Sequence, residues 1–138
     1  MEKPLKDLIR EELTVDEQEI VRRILPRVKR FIGFTKEGKI IFMADASKLP
    51  RIYWILIYLL GKRLANLAEL VDSPNASIKE LSDALGFAEN YTRALLSELL
   101  ERGLITRSDS GLYNVGLTKL EEIMRLLESK LRKQSNEP

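Results

Sequence analysis

The chain contains neither cysteine nor histidine among its 138 residues. Without cysteine it has no disulfides, and without either residue the usual structural zinc sites cannot form. No nucleophile can be paired with a histidine base, and the seven glycines make no phosphate-binding loop. The sequence therefore predicts a protein that is not an enzyme and that uses no metal and no cofactor.

A long hydrophobic run is missing as well. The most apolar stretch, residues 52–60, has nine residues, whereas a membrane-spanning helix needs about 20. The N-terminus is charged and lacks the apolar segment of a secretion signal. Together with the absence of cysteine, these features predict a cytoplasmic protein with no membrane partner.

The most informative stretch is residues 76–115, where sequence signals for two helices and a hairpin follow one another. A serine and a glutamate three residues apart form a capping box that predicts a helix start. Glycines supply the positive φ that ends helices, and small polar residues suit a hairpin loop. The predicted features, in chain order, are the capping box Ser77 and Glu80, the turn at Gly86, a second helix over about 88–102, its stop at Gly103 and a hairpin over 104–115.

This series resembles the winged helix-turn-helix of prokaryotic regulators of the MarR and ArsR type. Those proteins carry a glycine, a short turn, a recognition helix and the pattern LxxLxxxGLI entering the wing. The residues of this chain that match are Gly86, Leu96, Leu99, Gly103, Leu104 and Ile105. The resemblance implies a transcriptional regulator that binds double-stranded DNA sequence-specifically, with the second helix in the major groove and the wing on the DNA backbone.

The rest of the chain predicts a mainly α fold with small β elements (α+β), organised around this domain. Residues 31–34 and 39–43 are rich in aromatic and β-branched side chains, which indicates a β-hairpin. A helix over about 51–71 is apolar on two sides, so both sides should be buried. The predicted segments are an N-terminal helical and hairpin extension over 1–49, the winged helix domain over 50–116, and an amphipathic helix with a short tail over 117–138.

Two aromatic residues of the helix over 51–71 allow two interpretations. Trp54 and Tyr58 are expected to pack in the core, because aromatic side chains dominate packed interiors. The alternative is a pocket for a small-molecule effector beside them.

Helical spacing selects the residues that would face DNA. If Leu96 and Leu99 face the core, the opposite side of the same helix faces the solvent. An arginine there can donate two hydrogen bonds to guanine, an asparagine can pair with adenine, and small residues allow close approach. With the residues expected at the base of the wing, the candidate DNA contacts are Asn90, Tyr91, Arg93, Ala94, Ser97, Arg107 and Ser108.

A basic cluster precedes the first hairpin and has two interpretations. Its members are Arg22, Arg23, Arg27, Lys29 and Arg30. Charge runs of this kind are usually solvated helix faces. The alternative is an auxiliary patch that contacts phosphates.

The last helix carries apolar residues at alternating spacings of three and four, the seam pattern of a coiled coil. These residues are Leu117, Leu120, Met124, Leu127 and Leu131. Because symmetric dimers are the commonest oligomers, we expect a homodimer through this seam. The alternative is a helix that folds back on its own domain.

The charge balance keeps a second function open. The net charge is only +2, whereas dedicated nucleic-acid binders often have a strongly basic domain. Glu89 also lies at the leading end of the second helix, where it would repel a phosphate. The alternative to DNA binding is therefore a winged helix that binds a protein partner, as an adaptor in a transcription or chromosome-maintenance complex.

Overall fold

The computed structural model describes residues 3–135, with side chains through residue 134. Over this range the protein is mainly helical, with two small antiparallel sheets of two strands each. The helices are α1 (Leu5–Leu13), α2 (Glu17–Val28), α3 (Ala44–Ser47), α4 (Arg51–Leu67), α5 (Ile78–Leu85), α6 (Glu89–Glu101) and α7 (Leu120–Ser135). The strands are β1 (Ile32–Phe34), β2 (Ile40–Phe42), β3 (Thr106–Arg107) and β4 (Tyr113–Asn114). These elements give the mainly α fold with small β that the sequence predicts, and the last residues of the predicted tail lie outside the described range.

Helix α4 is the centre of the core. Its side chains are buried on both sides, as the two apolar stripes predict, and Ile55, Leu56 and Leu60 are fully buried. The helix ends at Leu67, four residues earlier than the sequence predicts. Glu69 adopts a positive φ of 61°, which the helix cannot accommodate, and the amide of Leu70 donates back to the carbonyl of Ala65.

The first hairpin lies against α4, since a two-stranded sheet is marginal alone. Its register pairs Ile32 with Phe42 and Phe34 with Ile40. Gly61 of α4 allows the close approach, because a Cβ atom there would lie 3.2 Å from the side chains of Ile32 and Ile40. The hairpin therefore belongs to the same core as the helices.

Helix α7 packs on α2 of its own chain, which corrects the predicted dimer seam. Leu120, Met124, Leu127 and Leu131 are buried, and Leu117 is half-buried in the 3₁₀ turn Leu117–Lys119 that precedes α7. The apolar face of α2 supplies the covering surface. The spacing correctly marked a buried face, but that face is covered within the chain and cannot also form a dimer interface.

Arg27 joins α2 to α7 through two carboxylates. Its guanidinium donates to both oxygens of Glu128, at 3.1 and 2.6 Å, and to Glu121 at 2.7 Å. The carboxylates of Glu128 and Glu121 raise the pKa of Arg27, and the guanidinium holds the pKa of both glutamates below the ordinary value. Forked arginine–carboxylate pairs are the stronger kind of ion pair.

Arg27→Met should lower the free energy of unfolding by about 1–3 kcal/mol. Methionine keeps the apolar stem but leaves Glu121 and Glu128 close together with no cation between them. A matched control is Arg125→Met, which removes an exposed partner of the same Glu121 and should cost less than about 0.5 kcal/mol. Urea unfolding at neutral pH measures both, and equal costs would contradict the assigned role of Arg27.

The same variant has an expected pH dependence. Both glutamates have a folded pKa below the ordinary 4.5, so their stabilisation is present above that pH and is lost as the pH falls through the folded values. The stability difference between wild type and Arg27→Met should therefore shrink below about pH 4.5. A difference that grows on acidification would exclude this linkage.

The three predicted segments share one hydrophobic core. Residues from each of them, such as Ile24, Leu56 and Leu127, belong to a single cluster of buried side chains. Among the helices of residues 3–135, none has the length and apolarity needed to cross a bilayer.

Candidate nucleic-acid interface

Contacts in the first turn of helix α5 cap the helix and join it to α4. The hydroxyl of Ser77 accepts from the amide of Glu80 at 3.0 Å, which is one half of the predicted capping box. The carboxylate of Glu80 does not complete the box. It accepts from the Tyr58 hydroxyl at 2.8 Å and from Lys62 at 2.7 Å, which ties α5 to α4.

The turn between α5 and α6 is short and well bonded. Gly86 ends α5 with a φ of 72°, and the hydroxyl of Ser82 donates to the carbonyl of Phe87. Ala88 precedes α6 and offers no side-chain cap. The first amides of α6 therefore keep no intrahelical or side-chain acceptor, and such groups attract anions.

One side of α6 is buried and the other is exposed. Thr92, Leu96 and Leu99 are fully buried, and the Thr92 hydroxyl donates to the carbonyl of Ala88 at 3.0 Å. The structure places all five candidate contacts of this helix on the exposed side. They are Asn90, Tyr91, Arg93, Ala94 and Ser97.

Arg93 is the one basic residue of α6, and it lies on this exposed side. Within the described part of the chain, no carboxylate lies at ion-pair distance from it. Arg102 at the C-terminal end of α6, by contrast, is bound to Glu98 at 3.1 Å and to the Tyr53 hydroxyl. The charge of Arg93 is therefore not neutralised by a neighbouring carboxylate.

A row of aromatic rings holds the start of α6 in place. Tyr91 packs edge-on against Phe87 with ring centroids 5.3 Å apart, and Phe87 stacks on Trp54 at 5.8 Å. The indole Nε1 of Trp54 donates to the carbonyl of Leu49 at 2.9 Å. Tyr91 is still 40% exposed, so the ring is positioned by its neighbours without being buried.

Trp54 and Tyr58 are half-buried rather than fully in the core. They line a cleft of about 400 Å³ between β2 and α5, with Phe42 and Lys62 beside them. Burial and the neighbouring Glu80 raise the pKa of the Tyr58 hydroxyl, which stays protonated and donates to that carboxylate. The two aromatic residues thus combine core packing with one wall of an open cleft.

The second hairpin follows α6 directly. Gly103 turns the chain with a φ of 73°, and the register pairs Thr106 with Asn114 and Arg107 with Tyr113. Arg107 is exposed, and its guanidinium lies 5.9 Å from the centroid of the Tyr113 ring. The hairpin therefore presents one cation, held against an aromatic face.

The Ser108 hydroxyl forms hydrogen bonds within the hairpin turn. Its hydroxyl accepts from the amide of Leu112 at 3.1 Å and lies 2.9 Å from the hydroxyl of Ser110. The side chain was predicted to contact DNA, but its oxygen is occupied within the turn. Gly111 completes the loop with a φ of 81°.

Three contacts that the sequence does not predict hold this hairpin to the rest of the domain. Asn114 donates to the side chain of Asn75 at 2.8 Å, and Arg63 of α4 donates to the carbonyl of Val115 at 2.9 Å. A backbone bridge between Ala76 and Tyr113 adds a third point of attachment. The partners lie 37 to 52 residues apart, so the signal in the sequence is limited to isolated polar residues beside apolar ones.

Four of the five residues of the basic cluster before the first hairpin form ion pairs. Arg27 is occupied by the two glutamates of α7, and Arg30 binds Asp45 at 3.1 Å. Arg22 and Arg23 both reach Glu19 but remain exposed to solvent. Asp45 also pairs with Lys48, and the hydrogen bond from Lys48, more than that from Arg30, lowers the pKa of the Asp45 carboxyl. The solvated-face interpretation describes this cluster better.

No family model, curated protein or solved structure matches this chain. In residues 3–135 no group of histidine, cysteine or acidic side chains is arranged to hold a metal ion. The function is therefore argued from the geometry of α6 and of the second hairpin.

Proposed function

We propose that the chain is a winged helix-turn-helix protein that binds double-stranded DNA. In this proposal α5, its turn and α6 form the helix-turn-helix, α6 is the recognition helix, and the β3–β4 hairpin is the wing. The order of these elements supports the assignment, as do the bonds that join both helices and the hairpin to α4.

The observation that carries the proposal is the pair Asn90 and Arg93 on the exposed side of α6. They lie three residues apart, so their side chains share one helix face. Arginine can donate two bonds to guanine O6 and N7, and asparagine can pair with adenine N6 and N7. Ala94 and Ser97 next to them are small, which allows the helix backbone to approach the base edges.

Phosphate contacts would come from groups around this pair. The uncapped amides at the start of α6 and the Tyr91 hydroxyl suit a phosphate on one side of the groove. Arg107 on the wing suits a flanking phosphate. With so few cations, each recognition helix should bind with modest affinity, because counterion release scales with the number of phosphates contacted.

The biological role that fits is a cytoplasmic, sequence-specific transcriptional regulator acting as a homodimer. A two-fold dimer presents two recognition helices to half-sites about 34 Å apart, so that the binding free energies of the two half-sites combine. Since the α7 seam is buried within the chain, such a dimer must form through another surface.

Duplex binding at two salt concentrations tests the proposal. A pool of genomic duplexes, measured by fluorescence polarisation, should contain fragments bound more tightly at 50 mM than at 200 mM salt, with an affinity change on the order of 10-fold or more. Absence of binding at both concentrations would overturn DNA binding, because electrostatic contact should be detectable at low salt.

A protein-binding winged helix is the second candidate, and one observation favours it. Acidic side chains share the exposed surface with the candidate DNA contacts, namely Glu89, Glu101 and Asp109. Capture of a stoichiometric protein partner that Arg93→Ala or Glu89→Ala releases, with no retention of DNA, would decide for this function.

A further inference from the structure

Helix α1 stands apart from the rest of the chain with its apolar face uncovered. Leu5, Leu8, Ile9 and Leu13 fall on one side of the helix, yet none of its residues is buried, and Leu5 and Leu13 are 73% and 74% exposed. A nine-residue helix is marginal in water without packing on one face. This apolar face therefore needs a partner.

An apolar groove of matching kind lies elsewhere on the same molecule. It has a volume of about 570 Å³ and is formed by α2, β1 and the end of α4. Its walls include Val21, Leu25, Phe34, Leu64 and Leu67, and Leu25 and Leu67 are 46% and 44% exposed. The depression continues along α2 towards Leu117. Its lining on α2 runs from Glu17 to Val28, a stretch of helix at least as long as the nine residues of α1.

We propose that α1 of one copy lies in this groove of a second copy, and that the exchange is reciprocal. This exchange specifies the surface through which the proposed homodimer would form, and its biological role rests on the proposed function. The junction 14–16 supports exchange over closure within one chain. Thr14 and Asp16 are extended there, the Asp16 carboxylate accepts from the amide of Glu19 to start α2, and α1 leaves its own groove open.

Charge complementarity supports the same occupant. Glu12 lies on the apolar side of α1, four residues after Leu8, and Lys29 lies at the rim of the groove. Both are exposed, and neither has an ion-pair partner within the described residues. A two-fold axis makes each contact occur twice, so both apolar faces and both grooves are covered in one closed dimer.

The first test compares two matched double variants by analytical ultracentrifugation without DNA. Leu8→Ala/Ile9→Ala truncates the apolar face, whereas Lys6→Ala/Arg10→Ala truncates the polar face, and alanine preserves the helix in both. We expect the first variant to raise the dimer dissociation constant on the order of 100-fold or more, because each truncation counts twice. The second should leave it within about threefold. Equal effects, or a wild-type protein that stays monomeric, would overturn the exchange.

The second test uses the absence of native cysteine. Ile9→Cys and Leu25→Cys, made in differently tagged chains and mixed under oxidation, should give a disulfide between the two chains. Both residues are exposed, so the variants should fold. When both cysteines are placed in one chain, a disulfide within that chain at low concentration would show that α1 closes on its own groove, which contradicts the exchange.

These measurements separate the dimer from DNA binding. A monomer that still binds duplexes in a salt-dependent way would overturn the exchange and leave the proposed DNA binding standing. A cross-linked dimer that binds no duplex at either salt concentration would support the exchange and overturn DNA binding.

Discussion

Arg93→Ala should weaken binding to a duplex selected by the wild-type protein by about 10- to 100-fold per half-site. The reason is that Arg93 is an exposed cation of α6 with no carboxylate at ion-pair distance in the described chain. Removing it would leave a guanine edge without its two donors. Fluorescence polarisation at constant salt measures the change, on duplexes recovered from a random pool.

Two further variants separate base reading from simple charge. Arg125→Ala removes the same charge from α7, where the side chain is exposed and paired with Glu121, and should change affinity less than about twofold. Arg93→Lys keeps the charge but loses the planar fork. We expect it to retain the salt dependence and to lose most of the discrimination between bases. If Arg93→Ala and Arg125→Ala have equal effects, α6 does not read the groove through Arg93.

Gly38→Ala should lower the free energy of unfolding by about 2–4 kcal/mol. Gly38 ends the turn between β1 and β2 with a φ of 86°, a conformation that costs an alanine about 1–2 kcal/mol. A Cβ atom there would also lie 2.9 Å from side-chain carbons of Leu70 and Val71 and 3.0 Å from the backbone oxygen of Leu70. The backbone oxygen cannot move aside without shifting the loop after α4.

Two other glycines divide this cost into its parts. Gly86 has a φ of 72° with open space around it, so Gly86→Ala should cost about 1 kcal/mol from conformation alone. Gly116 has an ordinary φ of −79° and open space, so Gly116→Ala should stay within about 0.5 kcal/mol. Urea unfolding of the three variants should give this order, and a Gly38→Ala cost no larger than that of Gly86→Ala would exclude the steric part.

Local signals in the sequence located most of the elements correctly. Ser77 begins α5, Gly86 ends it, and Gly103 turns the chain after α6, because caps and positive-φ positions depend on a few consecutive residues. The two hairpins were also located. The C-terminal end of α4 was misplaced, since the left-handed Glu69 carries no comparable signal.

Side-chain partners could not be read in the same way. The capping box predicted that Glu80 would bond within its own helix, but its carboxylate lies against Tyr58 and Lys62 of α4. The basic cluster suggested free positive charge, yet Arg27 meets glutamates that lie 94 and 101 residues away. Which charges are paired depends on which helices come together.

By itself, the sequence determined the order of the elements, most of the turns between them and the side of each helix that is apolar, because these follow from residue type and spacing. The three-and-four pattern of Leu120, Met124 and Leu127 marked a buried face correctly. Only the tertiary structure decided that α2 of the same chain covers it, while the apolar face of α1 stays uncovered. Hydrophobic burial is non-directional, so a pattern shows that a face needs a partner, and the packing of the whole chain decides which surface supplies it.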